Sequence, residues 1–182
     1  MKYHASPNFV LDTDDPEPTL DKKIEIFEGQ VRGWQLDVAR RLVESDPNGG
    51  YGVLAILMSY PEKIWQYVNG KSSKDGSRLA FREGMSMIFN TIKKDDPRHN
   101  AAVDHVYDTV RNGMYHNGGP KPGVVLSETF QVPIAIVNDE VQINPHLLPG
   151  AFSDHLGRYL TQVKDPRNEL ARVKFEKMYG RV

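Results

Sequence analysis

The stretch "AAVDHVYDTVRNGMYHNGGP", residues 101–120, decides how the rest of the chain is read. Val103, Val106, Tyr107, Val110 and Met114 recur at helical steps and form one apolar stripe on a helix from about Asn100 to His116. Asn117, Gly118, Gly119 and Pro120 end it, as glycine and proline beyond a helix C-terminus do. On a wheel of about 100° per residue with Val103 at zero, the apolar residues lie within about 60° of zero. Asp104, His105, Asp108, Arg111, Asn112, Tyr115 and His116 cover about 80° to 220°. Asp108, Asn112 and His116 are successive i, i+4 neighbours, and Arg111, three residues after Asp108, is placed to pair with it.

Toward the N-terminus three more helices precede this one. Leu20, Ile24, Phe27, Val31, Trp34, Val38 and Leu42 predict a long amphipathic helix over 20–44, stopped by "SDPNGG". "YGVLAILMSYPEKIWQYV", residues 51–68, is nearly all apolar and reads as a buried helix, with a kink or fresh start at Pro61. Trp34 and Trp65 sit at core-type positions, which favours packing over nucleic-acid stacking. Gly70-Lys71-Ser72 lacks the earlier glycine of a phosphate-binding loop, and that reading is discarded. A third helix covers 79–92, with Leu79, Met85, Ile88, Phe89 and Ile92 inward. Residues 1–19 are acidic and Pro-bearing without an apolar core. They read as a flexible lead-in arm rather than a signal or transit peptide.

Toward the C-terminus the composition turns β-branched. Ile134–Val137 and Glu140–Ile143 flank Asn138-Asp139, a two-residue hairpin turn, and Val124–Ser127 is a candidate third strand. Two helices follow, over about 151–163 and from the Asp165-Pro166 cap to Met178. The expected fold is therefore mainly α: a four-helix bundle over 20–118, with a β-hairpin and a C-terminal helical pair, 119–182, packed on the same domain. Strands do not alternate with helices, which argues against a parallel sheet.

A chain of 182 residues with 39% hydrophobic and 26% charged residues suits one soluble domain. The absence of cysteine excludes disulfides, zinc–thiolate sites and thiol chemistry, and it fits the reducing cytoplasm, where we expect the protein to reside. No apolar run approaches a membrane span. The net charge of −1 gives no global pull toward nucleic acid. Residues 158–182, however, carry seven bases against three acids, which suits either an RNA footprint or a solvated helix face. His99, Asp104 and His105 match no common metal spacing, and no metal or cofactor is expected. His146 and His155 read as surface or capping residues.

Arg111-Asn112-Gly113-Met114-Tyr115-His116 has an arginine, a polar residue directly after it, and a histidine after four intervening residues. This resembles the R-x4–6-H motif of the HEPN superfamily, helical-bundle proteins of which many are metal-independent ribonucleases. A second match, Arg98 to His105, begins in the break before the helix, so the Arg111/His116 pair at the helix end is preferred. The resemblance covers about 20–118. Some members carry a tyrosine two residues after the histidine that a partner nucleotidyltransferase modifies. Gly118 stands there, which argues against that subtype.

The resemblance implies RNA cleavage by 2′-hydroxyl attack, without metal, possible in a defence or stress toxin with an antitoxin or other protein partner. His116 would move the proton. Arg111 would steady the phosphate, with Asn112, Asp108 and Tyr115 in support. Arg111 and His116 lie about 7–8 Å apart along the helix axis and ~140° apart around it, so one copy clamps a phosphate poorly. A C2 homodimer, with His116 of one copy near Arg111 of the other, is expected. The alternatives are a non-catalytic HEPN-like module for RNA, nucleotide or dimer contact, and a plain helical adaptor with a solvated polar face.

Overall fold

A computed structural model describes residues 1–74, 76–89, 92, 95–137 and 140–179. The chain is mainly helical with two small sheets. Residues 1–19, read as an arm, instead hold a hairpin of β1 (Lys2–Ser6) and β2 (Phe9–Asp12), antiparallel with a bulge between His4 and Ser6. Its inner residues Ala5 and Ser6 are buried. Two glycines let it sit close to the first helix. A Cβ at Gly29 would lie 2.8 Å from the Ser6 hydroxyl, and one at Gly33 would lie 2.5 Å from the Pro7 ring.

The first long helix is α1 (Leu20–Val31) and α2 (Asp37–Ser45), joined without a break by a π turn at Arg32–Leu36. In that turn the amide of Asp37 donates to the carbonyl of Arg32, five residues back, which adds one residue to the helix. The buried positions consequently slip. Ile24, Phe27 and Val31 are buried as expected, but the next are Leu36, Ala39 and Val43 rather than Trp34, Val38 and Leu42. Trp34 is 47% exposed, which corrects its reading as a core residue.

Next come α3 (Gly50–Leu57) and α4 (Tyr60–Asn69), with Pro61 in the first turn of α4 and Gly70 in the left-handed conformation at its C-cap. In α5 (Ser77–Ile88) the buried face is Ala80, Phe81, Gly84, Met85 and Ile88, while Leu79 is half exposed, against expectation. The helix that opened the sequence reading is α6 (Pro97–Val106), a second π turn (Tyr107–Arg111), and α7 (Asn112–Asn117).

The second sheet has the order β3 (Val124–Leu126), β5 (Glu140–Ile143), β4 (Ile134–Val137). β4 and β5 pair antiparallel, with Val137 opposite Glu140, as the hairpin reading requires; Asn138 and Asp139 lie outside the described residues. β3 pairs with β5 in parallel, so the expectation of no parallel pairing is corrected. The 127–133 connection carries the chain from β3 to β4 at the far side of the sheet, and β5, returning antiparallel to β4 between them, runs the same way as β3.

The C-terminal pair is α8 (Leu148–Lys164) and α9 (Glu169–Met178), the latter capped by Asn168 rather than Asp165. Leu148, Phe152, Leu156, Leu160 and Val163 of α8 are buried in one continuous core with residues of α1 to α6. Phe27 of α1 meets Tyr67 of α4 at 4.5 Å, Phe175 of α9 at 5.4 Å and Tyr159 of α8 at 6.3 Å between ring centroids. The last two helices are thus part of the core. Among the described residues no helix is long and apolar enough to cross a membrane.

Candidate functional site

The carboxylate of Asp96 caps α6 by accepting from the amide of Arg98, and Pro97 supplies the first helical residue. At the second π turn the amide of Asn112 donates to the carbonyl of Tyr107. The carbonyl of Thr109 is free to accept from the amide of Lys121 at 2.8 Å, which ties the following loop back onto the helix. Gly113 makes this possible. A Cβ there would lie 2.8 Å from the carbonyl oxygen of Gly119 and 2.9 Å from the amide of Lys121. The glycine inside the Arg-to-His motif therefore answers a packing need. Gly118, at φ 70°, ends the helix.

Arg111 is held on three sides. Its Nη2 donates to Glu62 Oε2 of α4 at 3.1 Å, and its Nη1 to Asn112 Oδ1 at 3.3 Å. The rings of Tyr107 and Tyr115 approach the guanidinium carbon to 5.3 Å and 4.7 Å. Nε is buried with no hydrogen-bond partner among the described residues. Glu62 is fixed in turn, because Ser73 Oγ donates to its Oε1 at 2.7 Å. The side chains of Arg111 and Glu62 are only 20% and 16% exposed, so their pairing is shielded from solvent far more than a surface pair.

The expected Arg111–Asp108 pair does not form. Asp108 instead takes a two-pronged bond from Arg78 of α5 at 2.8 and 2.7 Å, and it accepts from Asn112 Nδ2 at 3.3 Å. The π turn between Tyr107 and Arg111 is the reason, since its wider winding carries Arg111 off the Asp108 side and toward α4. The Arg78 guanidinium, foremost, holds the Asp108 carboxyl below its usual range. One turn earlier Arg82 grips Asp104 at 3.1 and 2.8 Å, and Ser77 bonds the Tyr107 hydroxyl at 2.8 Å. The two carboxylates of the polar face are thus tied to α5, while Arg111 turns to α4.

No family model, curated protein or solved structure matches this chain. Function must be argued from the site itself. The structure brings Arg111, Asn112, Asp108 and Tyr115 together and adds Glu62, Ser73 and Arg78, which the sequence reading missed. Arg78 and Arg82, four apart, mirror Asp104 and Asp108, four apart, and that matched spacing was a legible signal. Glu62 lies 49 residues from Arg111 and gave none. His116 is not drawn into the cluster. It is exposed on the last turn and makes no hydrogen bond or ion pair among the described residues. Tyr115 beside it is 56% exposed.

The other histidines separate by environment. Asp104 is taken by Arg82, and among the described residues no group of three or more His, Asp or Glu is placed to hold a metal ion. His146, half exposed, lies 3.7 Å from Glu128. His155 is buried, which corrects its reading as a surface or capping residue: α8 turns it inward, where its Nδ1 meets the Tyr60 hydroxyl at 3.0 Å. Trp65 is partly buried and its indole nitrogen donates to Glu83 at 2.6 Å.

Proposed function

We propose that this chain is an HEPN-like, metal-independent endoribonuclease acting as a C2 homodimer. The observation that carries the reading is the contrast between two groups one turn apart. Arg111 is immobilised by Glu62, Asn112 and two tyrosine rings, while His116 is exposed and has no hydrogen bond or ion pair among the described residues. A fixed guanidinium suits a phosphate whose charge grows in the transition state, and an accessible imidazole suits proton transfer. In the reaction the 2′-oxygen attacks the adjacent phosphorus, its proton passes to an imidazole, and the 5′-oxygen leaves with a proton. The products are a 2′,3′-cyclic phosphate and a 5′-hydroxyl. The ~140° between the two side chains on one helix is what calls for a second copy. Exposed Tyr115 offers a ring for a base.

A second reading has its own support. Glu62 already balances the charge of Arg111, and that favours a non-catalytic HEPN-like module for RNA, nucleotide or dimer contact. Incubation of purified protein with RNA in the presence of a chelator separates the two. The nuclease reading expects cyclic-phosphate ends and a loss of roughly 100-fold or more in rate for His116→Ala. Retardation of RNA without cutting selects the binding module. A monomer that neither cuts RNA nor binds RNA or nucleotide overturns both.

A further inference from the structure

We propose that the cleft between the N-terminal hairpin and the first π turn binds a small planar aromatic anion. The cleft has a volume of about 320 Å³ and is lined by Tyr3, Leu11, Trp34, Lys63, Tyr67 and Tyr179, among others. It lies apart from the Arg111 cluster. Glu62 and Lys63 are consecutive on α4, but Glu62 reaches Arg111 whereas Lys63 reaches toward Phe27 of α1. The proposal therefore stands whether or not the chain cuts RNA.

The first argument is an uncompensated cation. Lys63 is partly buried, and among the described residues its ammonium has no carboxylate or hydrogen-bond acceptor. Its recorded contact is the face of Phe27, 5.3 Å from the ring centre. Lys23, the other sequestered lysine nearby, is treated differently, with Glu17 at 2.6 Å and Glu176 at 3.3 Å. Burial pushes the Lys63 ammonium below its ordinary pKa, the mark of a charge held away from water without a counter-ion. Such a group costs stability, and a bound anion would offset that cost.

The second argument is the aromatic wall. Trp34 is 47% exposed and Tyr3 48%. Trp34 stands in the cleft because the inserted residue of the π turn rotates it off the core stripe, and such insertions are frequent at functional sites. Aromatic faces alone would also welcome a cation, but Lys63 in the same cleft repels one. A flat ring against Trp34 and Tyr3 with its anionic group on Lys63 satisfies both features. The volume is at the small end of the roughly 300–1,000 Å³ of small-molecule sites, which suits one or two rings and not a polymer.

The test uses full-length protein, calorimetry and ligand-observed NMR with two anions, 5′-AMP and indole-3-acetate, and their uncharged counterparts, adenosine and indole. At least one anion is expected to bind saturably, about tenfold or more tighter than its counterpart. Which of the two binds tells phosphate from carboxylate. Lys63→Met should erase the preference for the anion, and Trp34→Ala should weaken binding about tenfold or more. Lys63→Met should also melt no lower than wild type, since it removes an unpaired charge. Three results would each overturn the proposal: no anion binding up to millimolar concentration, an anion preference that survives Lys63→Met, or a Lys63→Met protein that melts well below wild type.

Discussion

His155 shows what a single buried side chain does to the whole stability curve. Desolvation, foremost, and then the nearby Arg158 charge push its pKa from 6.5 down to about 4. Burial also suppresses the ionisation of Tyr60, so a neutral hydroxyl and a neutral imidazole share the 3.0 Å hydrogen bond at Nδ1. Between about pH 6.5 and pH 4 the unfolded chain binds a proton here that the folded chain does not. Stability therefore falls as pH falls through that window. The loss is on the order of 3 kcal/mol, at about 1.4 kcal/mol per pKa unit. Replacement His155→Gln, whose amide can donate to or accept from Tyr60, should flatten the difference in urea-derived stability between pH 7 and pH 4.5 relative to wild type. An unchanged slope would place the acid sensitivity elsewhere. His155 follows Phe152 by three residues and precedes Tyr159 by four, so helical spacing sets it on the apolar stripe of α8, but its partner Tyr60 lies 95 residues away and local spacing carries no sign of it. Arg111 was legible as a polar group at a helix end, but its partner Glu62 was not, for the same reason.

At the scale of elements the two π turns account for the slipped core positions after Val31 and for the missing Arg111–Asp108 pair. Up to Val31 the expected apolar positions Ile24, Phe27 and Val31 are the buried ones. An added residue at 32–36 shifts everything after it by one position, so Leu36, Ala39 and Val43 replace the expected set. A wheel of fixed pitch cannot register an insertion whose side chains are still apolar on both candidate faces. The hairpin of β4 and β5 was legible because alternation and turn spacing are local, whereas the parallel partner β3 depends on a crossover. Contacts between helices distant in sequence carried no local signal, and Gly84 gives a sharp test of one. It lies in the middle of α5, where propensity alone favours alanine by about 1 kcal/mol. A Cβ there would overlap the backbone carbonyl of Pro61 on α4, which has no rotamer to give way. Packing should win, and Gly84→Ala should lower stability by about 1–3 kcal/mol. A variant as stable as wild type in chemical denaturation would mean that α4 and α5 pack less closely than described.

At the scale of the molecule the question is whether residues 20–118 form a bundle that the rest merely decorates. The core argues otherwise. Phe152, Leu156, Leu160 and Val163 of α8 are at most 3% exposed and join the same cluster as Ile24, Leu57 and Met85. Each such side chain contributes roughly 1.5–3 kcal/mol on burial. Phe175 of α9 adds edge-on contact to Phe27 and tilted contact to Tyr67. Loss of these five side chains alone removes on the order of 7–15 kcal/mol, comparable with the ~5–15 kcal/mol that holds a typical domain folded. Removal of α8 and α9 would also leave Phe27 and Tyr67 facing water. A chain ending at residue 118 is therefore expected to lack a cooperative thermal transition and near-ultraviolet circular dichroism, while the full chain unfolds in one step. The same holds for any site on α6 and α7, since the α4 and α5 surfaces that position Arg111 and Asp108 rest on α8 and α9. A 1–118 fragment with a sharp melt would reverse this conclusion and restore the smaller bundle as the unit of folding.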